Sequence, residues 1–208
     1  MASNLIAHLR ENDIIPAVIP DDQVANLKGE VKIHYPKVTV SKGEHPPRAD
    51  TQEQPVLEYE AAEPSASYTV IMLDPDLILH NDPINGHVRH WLQSGVLFDG
   101  STKRSIGSLP GNTTSYVGPA PGPGSAHRYI FIVAREPPSY VAKQDKDYPV
   151  SGDSDLKGRL QWNTAQYCKE EGLKMEGVGW MRVSPDLGAI VDNVRLTAES
   201  LVNKVKGK

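Results

Sequence analysis

A chain of 208 residues with 38% apolar and 23% charged side chains has the make-up of a globular protein of one large domain or two small ones. Its net charge of −4 and pI near 6.0 leave no basic face for general nucleic-acid binding and no polybasic membrane address. One cysteine, Cys168, excludes an internal disulfide, no stretch approaches the ~18 apolar residues of a membrane span, and Met1–Arg10 lacks an apolar run of signal-peptide length, so a cytoplasmic location is expected.

In chain order, Ser3–Asn12 places Leu5, Ile6 and Leu9 on one face of a short amphipathic helix. Ile14–Pro20, apolar and broken by two prolines, is expected as an extended tether, and Asp21–Leu27 as a short turn or helix. Val31–Val40 alternates as a strand, with Pro36 marking an edge or a bulge. Ser41–Glu44 is turn chemistry, His45–Gln54 a polar loop and Val56–Tyr59 a short strand. Tyr68–Leu73, the most continuous apolar run, reads as a central strand buried on both faces, and it leads straight into Asp74-Pro75-Asp76. Asn81–Gly86 is a long turn, His87–Val96 a further strand and Asp99–Ser115 a Gly/Ser/Thr-rich loop.

Gly118–Gly124 holds three prolines and three glycines in seven residues, a stiff shaped loop that delivers His127 to the mouth of the strand Arg128–Ala134. Pro137–Asp153 is polar and irregular. Asp155–Glu171 reads as a helix stopped by Gly172, which makes Cys168 a core thiol rather than a nucleophile. Met175–Val183 is a strand. Ser184-Pro185-Asp186 supplies a cap, a proline at the first helical position and an acid at the positive end of a helix of about 185–205. Strands in the middle and helices at the ends make an α+β, mostly β layout around a mostly antiparallel sheet.

Three strand ends carry chemistry. Asp74 and Asp76 follow the first, His87 and His90 belong to the second, and His127 and Tyr129 to the third. If these strands are neighbours, the side chains converge at one end of the sheet, and the period of two puts Asp74 with Asp76, and His127 with Tyr129, on common sides. Backbone donors of the glycine-rich loop and two imidazoles then make a small anion site, in which a carboxylate favours the imidazolium. A zinc site of Asp74, His90 and His127 would lack a close-spaced ligand pair, since His87 and His90 fall on opposite faces of a strand, and no metal is expected. There is no G-x-S-x-G elbow and no G-K-[ST] after the glycine-rich loop.

Asp74-Pro75-Asp76, Asp82-Pro83, His90-Trp91-Leu92, Tyr116, Gly118-Pro119-Ala120-Pro121-Gly122, Gly124 and His127-Arg128-Tyr129 together resemble the phosphatidylethanolamine-binding protein family in order and spacing, over about Leu57–Glu136. The resemblance implies one domain over 1–208, with a central antiparallel sheet, a second smaller sheet, and helices at the N- and C-termini. It implies a pocket for phosphate-like and carboxylate groups formed by Asp74, His90, His127 and Tyr129, with Pro119 and Pro121 in its wall. Asp76 would be structural, Arg128 would turn away from the pocket, and no cofactor is called for.

Three departures stand out. Leu77-Ile78 replaces the family's Ala-Pro at the pocket rim, the loop reads Gly-Pro-Gly-Ser-Ala, and Ser184–Lys208 lacks the family's usual ending, so no pocket tyrosine carries over from there. The charged end of a ligand would still be held, while its apolar part would differ. The resemblance, closest to fungal members, implies a ligand-binding regulator or an inhibitor of a serine carboxypeptidase. The alternative is a natural-product biosynthesis protein that assists cyclisation or dimerisation of maleic-anhydride-type monomers, with His127, His90 and Asp74 as its acid–base groups; whether the chain is an enzyme is left open.

Overall fold

The computed structural model describes residues 2–82, 87–109, 113–141 and 158–189. Its centre is β5 (Tyr68–Asp74), all seven residues of which are buried, as the unbroken apolar run requires. β5 lies antiparallel between β6 (Val88–Phe98) and β9 (His127–Arg135), so the three strands that carry the candidate residues are neighbours. β10 (Lys174–Val183) flanks β9, while β7 (Ser105–Ser108) and β8 (Thr113–Thr114) pair with β6.

β1 (Gly29–His34) joins two sheets. Its first residues run parallel to β10, with Gly29 opposite Gly177 and Glu30 opposite Val178. It then leaves β10 and pairs antiparallel with β2 (Thr39–Val40) and β4 (Val56–Tyr59), forming the smaller sheet. Two glycines allow the crossing. A Cβ on Gly177 would lie 2.8 Å from Val31 Cγ2 and 2.9 Å from the Tyr59 ring, and one on Gly179 would overlap the Val31 carbonyl oxygen. β3 (Lys42–Glu44) also runs parallel to β10, so the sheet is mixed rather than purely antiparallel. It curls until Tyr59 N–H donates to the Lys103 carbonyl at 2.9 Å and Leu57 N–H to Ser105 Oγ at 3.1 Å.

Each face of the sheet carries its own apolar cluster. Tyr68, Val70, Met72, Tyr129, Phe131 and Val133 face the smaller sheet. Ile71, Leu73, Ile130 and Ile132 face α1 (Ala2–Glu11) and α3 (Thr164–Glu170), whose Leu9, Tyr167 and Cys168 pack against them. Burial pushes the Cys168 thiol up to about 12, which keeps it an inert core group.

Several segments depart from the sequence expectation. Ile14–Pro20 is not extended: Val18 and Ile19 N–H both donate to the Ile14 carbonyl, at 2.9 and 3.0 Å, and the resulting turn buries Ile14, Ile15, Val18 and Ile19. α2 (Asp21–Val24) follows it. Ser41–Glu44 and Asp99–Ser115, expected as turn and loop, contain β3, β7 and β8; these are short, largely polar strands whose pairing comes from their neighbours. A 3-10 turn, Arg48–Thr51, interrupts the loop expected over His45–Gln54. Among the described residues of the helix expected over Asp155–Glu171, the helix runs from Thr164, where the Asn163 side chain accepts from Gln166 N–H at 2.9 Å. At the C-terminal end Asp186, not Ser184, is the cap, accepting from Ala189 N–H at 2.7 Å. Residues 83–86 of the expected turn, 142–157 and the body of the expected C-terminal helix, 190–205, lie outside the described residues.

The glycine crossing is testable. Gly179→Ala is expected to cost about 1–3 kcal/mol or more by overpacking β10 against the β1 backbone. Urea unfolding would show this as a lower midpoint; an unchanged midpoint would mean that β1 does not need the space.

Candidate functional site

β5 ends at Asp74, and the Pro75 corner sends the two carboxylates in different directions. Asp74 Oδ2 accepts from His127 Nδ1–H at 2.8 Å, and its Oδ1 from Asp76 N–H at 2.7 Å. Asp76 instead grips the next residue of β9: it accepts from Arg128 N–H at 3.0 Å, Nε at 2.8 Å and Nη2 at 2.6 Å. Successive strand residues face opposite sides, so Asp76 lies across the sheet from Asp74, not beside it as alternation through Pro75 would suggest. Arg128 also donates to the Asn12 carbonyl at 2.7 Å and to Asn81 Oδ1 at 2.7 Å, which ties the end of α1 to the Asp-Pro-Asp corner.

His90 reaches the same side as His127 through a bulge. Trp91 pairs with Met72 and Arg89 with Leu73, so His90 has no partner on β5. The irregularity re-aims the ring, which meets Tyr129 edge-on at a centroid distance of 5.2 Å. Its Nδ1 lies 2.9 Å from the Val117 carbonyl, which can only accept, so Nδ1 carries the proton. Burial lowers the His90 pKa, leaving a neutral ring with a lone pair on Nε2.

His127 is the opposite case. Desolvation disfavours its charge, but the hydrogen bond and the negative charge of Asp74 outweigh that, and its pKa is raised. When charged, it presents an Nε2–H donor. Neither Nε2 has a partner among the described residues. The Tyr129 hydroxyl is buried beside Asp74 and Ala120 without a hydrogen bond of good geometry among the described residues. Burial, then the Asp74 charge, holds the phenol well above its usual pKa, so it stays a donor.

Pro119 and Pro121 are buried, and two residues that sequence reasoning missed hold this wall. Arg48 Nε and Gln52 Nε2 donate to the Pro119 carbonyl at 2.7 and 3.2 Å. Gln52 also packs so close to Gly118 that a Cβ there would lie 2.7 Å from its Oε1. Both residues sit in the polar His45–Gln54 stretch, and nothing in that stretch's own pattern marks a contact some 70 positions away. A cleft of about 380 Å³ opens beside His127, between Asp76–His80 and Gly122–Ala126. The expected rim residues Leu77 and Ile78 line it; Asp74, His90, Pro119, Pro121 and Tyr129 do not. His87 lies just before β6, bridged to Trp162, with its pKa lowered by burial. Among the described residues no three His, Cys, Asp or Glu side chains are grouped to hold a metal ion.

A curled sheet with helices on one face, and a carboxylate–imidazole pair behind a Pro/Gly wall, define the class. Residues 23–176 match the phosphatidylethanolamine-binding protein family model, and the chain belongs to that family. Among its relatives, a phomoidride biosynthesis cluster protein N of Talaromyces stipitatus is 30% identical over 110 residues, covering 51% of this chain and 52% of that protein. The chain thus spans about half the length of that relative. Protein TERMINAL FLOWER 1 of Arabidopsis thaliana is 26% identical over 144 residues, covering 69% and 72%. Among solved structures, a phosphatidylethanolamine-binding protein from Plasmodium vivax superposes with a TM-score of 0.68 at 22% identity, over 87% of this chain and 97% of that one. A carboxypeptidase Y inhibitor, solved with its cognate proteinase, gives 0.68 at 18% identity over 89% and 97%. At these identities the likeness is one of fold.

Two outcomes check the geometry. Asp76→Ala leaves Arg128 buried without its carboxylate and is expected to cost about 3–5 kcal/mol in chemical denaturation. Asp74→Asn removes the charge that raises His127, so an NMR titration should place the His127 pKa below its wild-type value. Because the folded value exceeds the ordinary ~6.5, the pair stabilises fully below ~6.5 and that gain is lost as pH rises through the folded value. In Asp74→Asn this part of the pH dependence should vanish.

Proposed function

We propose that the chain binds a small oxyanion, a phosphate or carboxylate group, at His127 and His90, the phosphate keeping one proton. The opposed protonation of these two rings carries the reading. Charged His127 offers an Nε2–H to an anionic oxygen, and neutral His90 offers a lone pair to a protonated one. The Tyr129 hydroxyl adds a second donor beside them. Asp76 is already neutralised by Arg128 and does not repel the ligand. Free phosphate and a phosphomonoester supply both oxygens; a phosphodiester headgroup or a carboxylate, with no proton to give His90, is held through the donors of His127 and Tyr129. The protein then acts as a ligand-binding regulator, and a serine carboxypeptidase is the first protein partner to try, since the carboxypeptidase Y inhibitor has the same fold. We place it in the cytoplasm on the same footing, because its one cysteine is a buried thiol.

A second reading has its own support. One protonated and one unprotonated imidazole at a single site are a general acid and a general base. A relative's name also connects this family to a biosynthetic cluster. On this reading His127 and His90 move protons during cyclisation or dimerisation of anionic maleic-anhydride-type monomers, with Asp74 holding His127.

Calorimetric titration with phosphate, phosphoethanolamine and acetate tests binding. Affinity should peak between the lowered His90 and raised His127 pKa values, falling on the alkaline side as His127 loses its proton and on the acid side as His90 gains one. His127→Ala should weaken binding roughly tenfold to a hundredfold, the usual worth of a charged hydrogen bond. Affinity that is flat from acid to alkaline pH would sink the proposal. Turnover of alkyl maleic anhydrides that collapses in His127→Ala would favour the second reading, and carboxypeptidase inhibition that survives His127→Ala would assign the partner surface elsewhere.

A further inference from the structure

The cleft beside His127 has a polar end and an aliphatic end. Leu77, Ile78 and Leu79 form one wall, and Ile78 and Leu79 are 72% and 54% exposed. Their turn is rigid for reasons independent of these side chains. Asp76 Oδ1 accepts from Asn81 N–H at 3.0 Å, Asp82 Oδ2 from Ile78 N–H at 3.2 Å, and the Pro75 carbonyl from Asp82 N–H at 2.8 Å. Arg128 fixes Asn81 from below at 2.7 Å. Single exposed aliphatics need no explanation, but two in a row beside half-buried Leu77, on a fixed ledge at a cleft mouth, are a prepared apolar surface.

The facing wall keeps the space open. Gly122 passes close to the Leu77 carbonyl, where a Cβ would lie 3.7 Å away, and Gly124, at φ +128°, has nothing within 4 Å of its would-be Cβ. Asp76 in the floor is paired with Arg128 and faces His80 Nδ1 at 3.5 Å, and His127, held by Asp74, lines the cleft as its ring donor.

We propose that this cleft takes the aliphatic chain of the ligand whose acidic group sits at His127, so that the ligand class is a single-chain amphiphilic acid. The proposal rests on the anion-binding reading above. At about 30 Å³ per water-sized group, 380 Å³ holds roughly a dozen non-hydrogen atoms, enough for an acid group with a short chain and too little for two acyl chains.

The test is a series of straight-chain acids, from acetate through butyrate and hexanoate to octanoate, titrated with His127 ring signals as the readout, alongside phosphate. Wild-type affinity should rise about twofold to fourfold per methylene and level off once the cleft is full. The exposed double substitution Ile78→Ser with Leu79→Ser should flatten that rise while leaving acetate and phosphate binding unchanged. Acids that bind without any dependence on chain length would overturn this inference and leave the anion site standing. No response to phosphate or to any acid would overturn the anion reading itself. A ledge that instead drives binding to phosphatidylcholine–phosphatidylserine vesicles, lost in the double variant, with no chain-length effect, would make it a membrane contact and overturn the proposal.

Discussion

The ion pair of Asp76 with Arg128 is the joint on which the rest of this end of the sheet depends. Both groups are buried, and a charge out of water is tolerated only when every donor and acceptor around it is satisfied. Here the carboxylate accepts from the Arg128 side chain and backbone and from the Asn81 backbone, while the guanidinium reaches Asn81 and the Asn12 carbonyl just past α1. One network therefore sets the corner after β5, the start of β9, the end of α1 and the ledge of Leu77–Leu79. His127, one residue before Arg128, has its backbone placed by that network and points through the other face to Asp74.

Adjacent residues of one strand thus do different work because a strand has two faces. Arg128 locks the helix side, and His127 turns to the side of Asp74. The burial that lowers the His90 pKa and the carboxylate that raises that of His127 come from the same packing, so the opposed shifts of the two imidazoles are a property of the fold rather than of the rings themselves. The bulge that turns His90 toward Tyr129 is part of the same arrangement: without it, alternation from Trp91 would direct the ring to the opposite face.

Much of this could be read without coordinates. The apolar run Tyr68–Leu73, too short for a good helix, read as a strand buried on both faces, and it is β5. The Pro/Gly loop followed by Tyr129–Ala134 marked a stiff wall running into a strand, now β9. The polar stretches Ser41–Glu44 and Asp99–Ser115 were less legible for a physical reason: β3 and β7 bury little of their own surface and, like β8, exist because a neighbouring strand offers them hydrogen bonds. The turn of Ile14–Ile19 is of the same kind, shaped by the helix-side core that it fills.

Local pattern, then, was enough to identify the strands with strong apolar runs, the titratable side chains at their ends and the Pro/Gly loop between them, since these depend on neighbours within a few positions. Tertiary structure alone decided that Asp76 crosses to Arg128, that His90 sits in a bulge, that Arg48 and Gln52 brace Pro119, and that Leu77–Leu79 overlook a cleft. Each of these contacts joins segments far apart in the chain, and the direction a side chain takes after a proline corner or a bulge is set by packing, which no period of two encodes.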